Sequence, residues 1–224
     1  MKLCKFIWND STKTLGGTQL DGNVKILEIS TTSPSAHGKA SSVFPQRLNG
    51  MTLSSGSIFY AGKNSEGKIT ELIIDDTTGD MHSYGIVLAA KKNTSGMNLS
   101  GTYTYLLNGT EKTISTNGTT YSVASGQPVK IETSENGSVT GMSPLTKISG
   151  GAVSNMTEET ITYNGTAYKL YDRLAIYTRD GSYNYSLLTI DEFRENYKNY
   201  TISLYTDKTN SANTLVRVIL AIPK

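Results

Sequence analysis

The chain has 224 residues, of which 37% are hydrophobic, and it carries 21 Lys and Arg against 19 Asp and Glu. The near balance of scattered charges excludes the basic face that nucleic acid needs and any acidic tail, and an apolar fraction this low suits small barrels with wet outer faces. The longest apolar runs, residues 86–90 and 218–222, are too short to span a bilayer, which argues against membrane insertion.

The N-terminus, MKLCKFIWND, contains no apolar core of signal-peptide length. Cys4 is the only cysteine, so no intrachain disulfide can form. That fits a reducing cytosol and equally a Gram-positive surface protein. Beside Lys5 it could be an activated thiol, but it reads better as a small apolar residue. The Thr, Ser, Asn, Gly and Tyr-rich composition favours an excised piece of a longer exported chain.

From there on, short runs rich in Val, Ile, Thr and Tyr predict strands at 24–29, 58–61, 68–74, 83–88, 102–107, 129–132, 161–163, 174–178, 201–205 and 215–221. Asn-Gly at Asn49, Asn108, Asn117, Asn136 and Asn164, and Asp-Gly at Asp21 and Asp180, supply turns between them, because Asn and Gly tolerate the positive φ of tight hairpins. Only residues 190–197, IDEFRENY, predict a helix: Asp191 and Glu192 suit its first turn, and Phe193 and Tyr197 share a face. The predicted class is all-β.

One long hairpin organises this pattern. Residues 56–74, GSIFYAGKNSEGKITELII, are echoed seventy positions on by 126–142, with Gly67 falling on Gly137 and Ile69 on Val139. A looser echo lies at 203–220, where Lys63 falls on Lys208 and, one loop residue later, Ile73 falls on Ile219. The expectation is three tandem barrel-like units, 1–79, 80–148 and 149–224, each ending on such a hairpin, with two domains split near residue 90 as the competing division. In residues 69–74 both alternating faces carry apolar side chains, which predicts burial on both sides for part of that strand.

Candidate chemistry is sparse. Asp75, Asp76 and Asp80 lie within six residues around Gly79, which suits a calcium loop. They lack the spacing and terminal Glu of an EF-hand, so the loop reads first as a polar turn. His37 and His82 are the only histidines, and no nucleophile elbow, zinc motif or paired cysteine accompanies them, which argues against a hydrolase. Among the fourteen tyrosines, Tyr103 and Tyr105 share a strand face, as do Tyr183 and Tyr185. Such pairs could stack on sugar rings; the alternative is that tyrosine, a good strand former, faces the core.

The run GKITELIIDDTTGD, followed by Tyr84-Gly85, resembles a segment of clostridial surface proteins that carry S-layer homology modules. NGTAYKL, LAIYTRDGSYNYSLLTIDEF and YTISLYTDKTNSANTLVRVILA are similar to the ends of the same proteins. The resemblance covers about a third of the chain. It implies an extracellular, cell-wall-associated β region of a Gram-positive bacterium, with cell-wall polysaccharide or other surface proteins as partners and no catalytic role. The helical wall-anchoring modules themselves are not in this stretch, so the resemblance implies no anchoring role and no functional residues.

Overall fold

The computed structural model describes residues 3–30, 40–94, 98–181, 184–207 and 214–224. Strands dominate; nine of the ten predicted runs lie within one, and the run at 68–74 starts one residue ahead of its strand. The chain gathers into two compact units, Met1–His82 with Glu132–Thr140, and Ser83–Ile131 with Gly141–Lys224.

The first unit holds β1 (Leu3–Trp8), β2 (Lys13–Leu15), β3 (Thr18–Ile29), β4 (Ala40–Ser42), β5 (Thr52–Ser54), β6 (Ile58–Lys63) and β7 (Ile69–Asp75). They form one sheet in the order β5-β1-β2-β3-β7-β6, with β4 beside β3. The link between β3 and β7 is parallel. Alternation along β3 sends Val24, Ile26 and Glu28 inward and leaves Lys25 and Leu27 outward. On β7, Leu72 and Ile74 are buried on one face, while on the other Ile69 is buried, Ile73 half-buried and Glu71 exposed, so both faces are covered at the start of the strand and one face further along. A short helix, α1 (Pro45–Leu48), follows β4. Four residues hold too little of a helical period to be legible, although Pro at a helix start is a known signal.

A second sheet, in the second unit except for residues 132–140, is formed by β8 (Ser83–Asn93), β9 (Ser100–Leu107), β10 (Thr110–Asn117), β11 (Pro128–Thr133) and β12 (Val139–Pro144) in the order β10-β9-β8-β11-β12. A third sheet contains β13 (Thr146–Lys147), β14 (Val153–Met156), β15 (Thr160–Tyr163), β16 (Thr166–Arg179), β17 (Tyr185–Leu188), β18 (Tyr200–Thr206) and β19 (Leu215–Pro223). Its order is β13-β18-β19-β16-β15-β14, with β17 beside β16. Helix α2 (Ile190–Asn196) opens on a reciprocal capping box between Thr189 and Glu192 and buries Phe193.

Local turn chemistry explains the hairpins. Asn108 and Gly109 have φ of 49° and 76°, and Asn164 and Gly165 have the same pair of values. Positive φ at both central residues matches the twist of the two strands they join. Gly67 and Gly137 are also equivalent, with φ of 78° and 82° and N–H groups donating to the carbonyls of Asn64 and Ser134 at 3.0 Å each.

Beyond the turn, the 56–74 and 126–142 hairpins differ. In the first, the second strand, β7, lies inside and parallel to β3. In the other, the first strand, β11, lies inside and antiparallel to β8. The expected triple repeat is therefore corrected to a double one, between the first sheet and the third. Long strands β3 and β16 each carry a short antiparallel partner at their start (β2, β15) and another at their end (β4, β17). Both are parallel to the last strand of their sheet, and both registers break in the same place, between Leu20 and Lys25 and between Leu170 and Ala175. Ile26 pairs with Leu72 where Ile176 pairs with Ile219. Ile219 thus corresponds to Leu72 rather than Ile73, a slip of one residue that exchanges the two faces of a strand. Lys208 lies outside the described residues.

The third sheet is buried on both faces, as its nearly unbroken LVRVILA run requires. On one side Ile176, Val216, Ile219 and Leu204 pack with Phe193 of α2. On the other, Tyr171, Ala175, Tyr177 and Val218 pack with Tyr84, Ile86 and Leu106 of the second sheet. The Tyr177 hydroxyl donates to the Leu106 carbonyl at 3.2 Å, and burial pushes its pKa up from 10.0 to about 12. Burial also raises Tyr84. A folded state that holds its proton above the unfolded pKa is stabilised fully below that pKa and loses the advantage as pH climbs through the folded one. The contribution of Tyr177 should therefore be constant below about pH 10, with up to about 3 kcal/mol of it lost above that, at 1.36 kcal/mol per unit. Urea melts across this range should show the fall, and Tyr177→Phe should make it shallower. Equal slopes in the two proteins would disprove the assignment.

Candidate functional site

The acidic loop after β7 is built around a residue fifty positions upstream. Glu28 occupies an inward position of β3 and is fully buried. Its carboxylate accepts hydrogen bonds from the Thr78 amide and hydroxyl, and a longer one from the Asp80 amide at 3.3 Å. The Asp76 amide donates to the Ile29 carbonyl at 2.8 Å, and Asp76 itself sits at a φ of 37°. Asp80 pairs with the Arg47 guanidinium of α1. Asp76 Oδ1 lies 3.3 Å from His82 Nε2, and the His82 side chain is buried. The three carboxylates considered for calcium thus face different partners: Asp75 ends β7 opposite Ile29, Asp76 faces His82 and Asp80 faces Arg47. Among the described residues no three His, Cys, Asp or Glu side chains converge to hold a metal ion. His37 lies outside the described residues. Glu28 and Arg47 were missed from sequence; the available signal was a Glu on the apolar face of an alternating strand.

Two of the tyrosines considered for stacking are in the core. Tyr103 and Tyr105 are buried, so neither presents an open ring face. The Tyr103 hydroxyl accepts from the Tyr121 amide at 2.6 Å, and their ring centroids are 5.1 Å apart. Tyr185 is half-buried against the shared cluster of the second and third sheets. Tyr183 lies outside the described residues. The shared face of Tyr103 and Tyr105 was legible from alternation, but alternation does not say which face is covered.

Another aromatic cluster surrounds a buried ion pair. Arg217, 1% exposed, is held by Asp207 through Nε at 2.9 Å and Nη2 at 3.3 Å. Its guanidinium lies 5.0 Å from the Tyr84 ring centroid and 4.5 Å from that of Tyr171. Tyr84 also donates its hydroxyl to Asp207 at 3.0 Å.

A concavity lies elsewhere among the described residues. A groove of about 430 Å³ in the first unit lies between β3, β4, β6 and β7, lined by Leu27, Val43, Phe44, Pro45, Tyr60 and Ile73, with Lys25 and Glu71 beside them. That volume falls within the usual range for ligand pockets, about 300–1,000 Å³. The lining is open: Phe44 is 75% exposed, Tyr60 48% and Leu27 39%. Sequence reading missed it because Phe44 and Tyr60 are isolated aromatics brought together only by the pairing of β3 with β4 and β7.

Fold and groove together define the class, an all-β protein of two compact units, the first of which carries an open apolar groove. Comparison with protein-family models, curated proteins and solved structures finds no match to this chain.

Proposed function

We propose that the chain is a non-catalytic, extracellular β module of a Gram-positive cell surface or cell wall, acting as a spacer, assembly or adhesion segment. The observation that carries this reading is how the polar side chains are used. Glu28, Asp80 and Arg47, and likewise Arg217 and Asp207, brace the fold, while the open groove is apolar and aromatic. A surface of that kind suits adhesion to another surface better than bond-making chemistry. The resemblance to S-layer-associated surface proteins supports the location.

The test is retention of the purified chain on isolated Gram-positive cell walls, with and without wall polysaccharide and calcium. Retention that persists without either supports adhesion to wall protein. Retention that requires polysaccharide favours a carbohydrate-binding module, with Tyr60 and Tyr185 as the rings to substitute. Retention that requires calcium returns the role to Asp75, Asp76 and Asp80. No retention under any condition counts against adhesion and leaves only spacing or assembly.

A further inference from the structure

We infer that the first unit carries a site for a divalent transition-metal cation of the zinc class, with His82 Nε2 and Asp76 Oδ1 as its protein ligands and solvent in the remaining positions. The His82 side chain is 1% exposed, and neither of its ring nitrogens has a hydrogen-bond partner. Buried nitrogen and oxygen atoms are nearly always engaged, so an imidazole with both nitrogens unpaired calls for a further partner. Ser30 is the other described residue that buries a donor side chain without a partner, through its Oγ. It follows β3 where Asp76 follows β7, since Ile29 pairs with Asp75. The orphaned side chains therefore gather at one end of the parallel β3–β7 pair.

The spacing selects the ligand. Nε2 lies 3.3 Å from Asp76 Oδ1, but the two are not aligned for a hydrogen bond. Zinc bonds of about 2.0–2.2 Å, set at the tetrahedral angle, hold two ligand atoms about 3.3–3.5 Å apart. A neutral imidazole that turns its Nε2 lone pair towards a carboxylate meets density of like sign, and a cation bound to both reverses that repulsion. The neighbouring carboxylates are engaged differently, Glu28 with Thr78 and Asp80 with Arg47. An imidazole ligand suits zinc, nickel or copper, whereas calcium takes oxygen ligands, so this site is distinct from the calcium loop considered for Asp75, Asp76 and Asp80. Backbone bonds fix both ligands: the Asp76 amide donates to the Ile29 carbonyl at 2.8 Å and the His82 amide to the Gly79 carbonyl at 3.1 Å. The Asp76 side chain, 20% exposed, supplies the entry path. Two protein ligands, with no acceptor on Nδ1 to orient the ring, make a weaker site than a closed structural zinc centre.

The test uses the full chain carrying His37→Ala, in which His82 is the only imidazole. Calorimetric titration with Zn²⁺ should show one equivalent bound, and excess Ca²⁺ should not displace it. With Cu²⁺ in place of Zn²⁺, electron spin echo modulation should carry the signature of one imidazole's remote nitrogen, which the terminal amine cannot give. Asp76→Asn should weaken Zn²⁺ binding at least about tenfold. That variant keeps the fold within reach, because Asn tolerates the left-handed backbone at φ 37°. Zn²⁺ should also raise the melting temperature read by Trp8 fluorescence, and Asp76→Asn should reduce that rise. His82→Gln should abolish the imidazole signal; if it fails to fold, the copper signal and Asp76→Asn still decide. The inference is overturned if the His37→Ala chain binds no Zn²⁺, or if its bound Cu²⁺ shows no imidazole nitrogen. Zn²⁺ binding of undiminished strength in Asp76→Asn, or Ca²⁺ binding in preference to Zn²⁺, would overturn it as well. None of these measurements involves cell walls, so the metal site and the surface-module reading can fail separately.

Discussion

Asp207→Ala is expected to destabilise the second unit by about 3–5 kcal/mol, the range for breaking a buried ion pair from one side. Arg217 and Asp207 are 1% and 7% exposed at the side chain, so water cannot replace the lost carboxylate. The rings of Tyr84 and Tyr171 would still face the guanidinium, but cation–π attraction supplies only about 2 kcal/mol in a dry site. Arg217→Met should cost less, because the Tyr84 hydroxyl continues to donate to Asp207. The double replacement Arg217→Met with Asp207→Leu should be less damaging than Asp207→Ala, since it removes both charges and their desolvation together. Urea unfolding followed by tyrosine circular dichroism measures this. Fluorescence of Trp8, the only tryptophan and part of the first unit, should not shift. A loss under about 1 kcal/mol for Asp207→Ala, the scale of an exposed pair, would refute the assignment.

What was legible in the sequence is what local chemistry decides. The Asn108-Gly109 and Asn164-Gly165 hairpins follow from backbone angles that few other residues tolerate. Helix α2 follows from acidic residues in its first turn and from Phe193, and it ends one residue short of the expected Tyr197, which begins a tighter helical turn. The hairpin echo was partly legible. The turn at Gly67 and Gly137 is local and recurs, whereas the strand that lies inside is chosen by long-range pairing. The same limit explains the slip from Leu72 to Ile73. ELII is apolar at three successive positions, so a period of two cannot tell which of them faces inward.

The sites show this limit more sharply. Tyr103 and Tyr105 were placed on one face, but only the packing of the sheet decides that this face is the dry one. Phe44 and Tyr60 are sixteen positions apart and meet at a groove only because β4 and β7 flank β3. The acidic run at 75–80 is dense in carboxylates along the chain, and in the fold two of them face Arg47 and His82.

Glu28→Ala should therefore cost the first unit about 3–5 kcal/mol, although Glu28 lies far in sequence from the loop it holds. Hydrogen bonds to a charged acceptor are worth about 1.5–3 kcal/mol each, and the carboxylate takes two close ones from Thr78 as well as a longer one from the Asp80 amide. Part of that gain is offset by the desolvation of a fully buried carboxylate. Glu28→Gln separates the two contributions: it removes the charge but keeps one acceptor oxygen, and should recover about half the loss if one Thr78 donor stays satisfied. Thr78→Val in the Glu28→Ala background should add little, because the hydroxyl it deletes has already lost its acceptor. Trp8 fluorescence reports this unit, since the ring sits in β1, 6.4 Å from Phe6 of the core. Full additivity of Glu28→Ala and Thr78→Val would mean that the two residues do not act together. The acidic loop would then be held by the Arg47–Asp80 pair, the Asp76 amide on Ile29 and the Asp76–His82 contact, independently of Glu28.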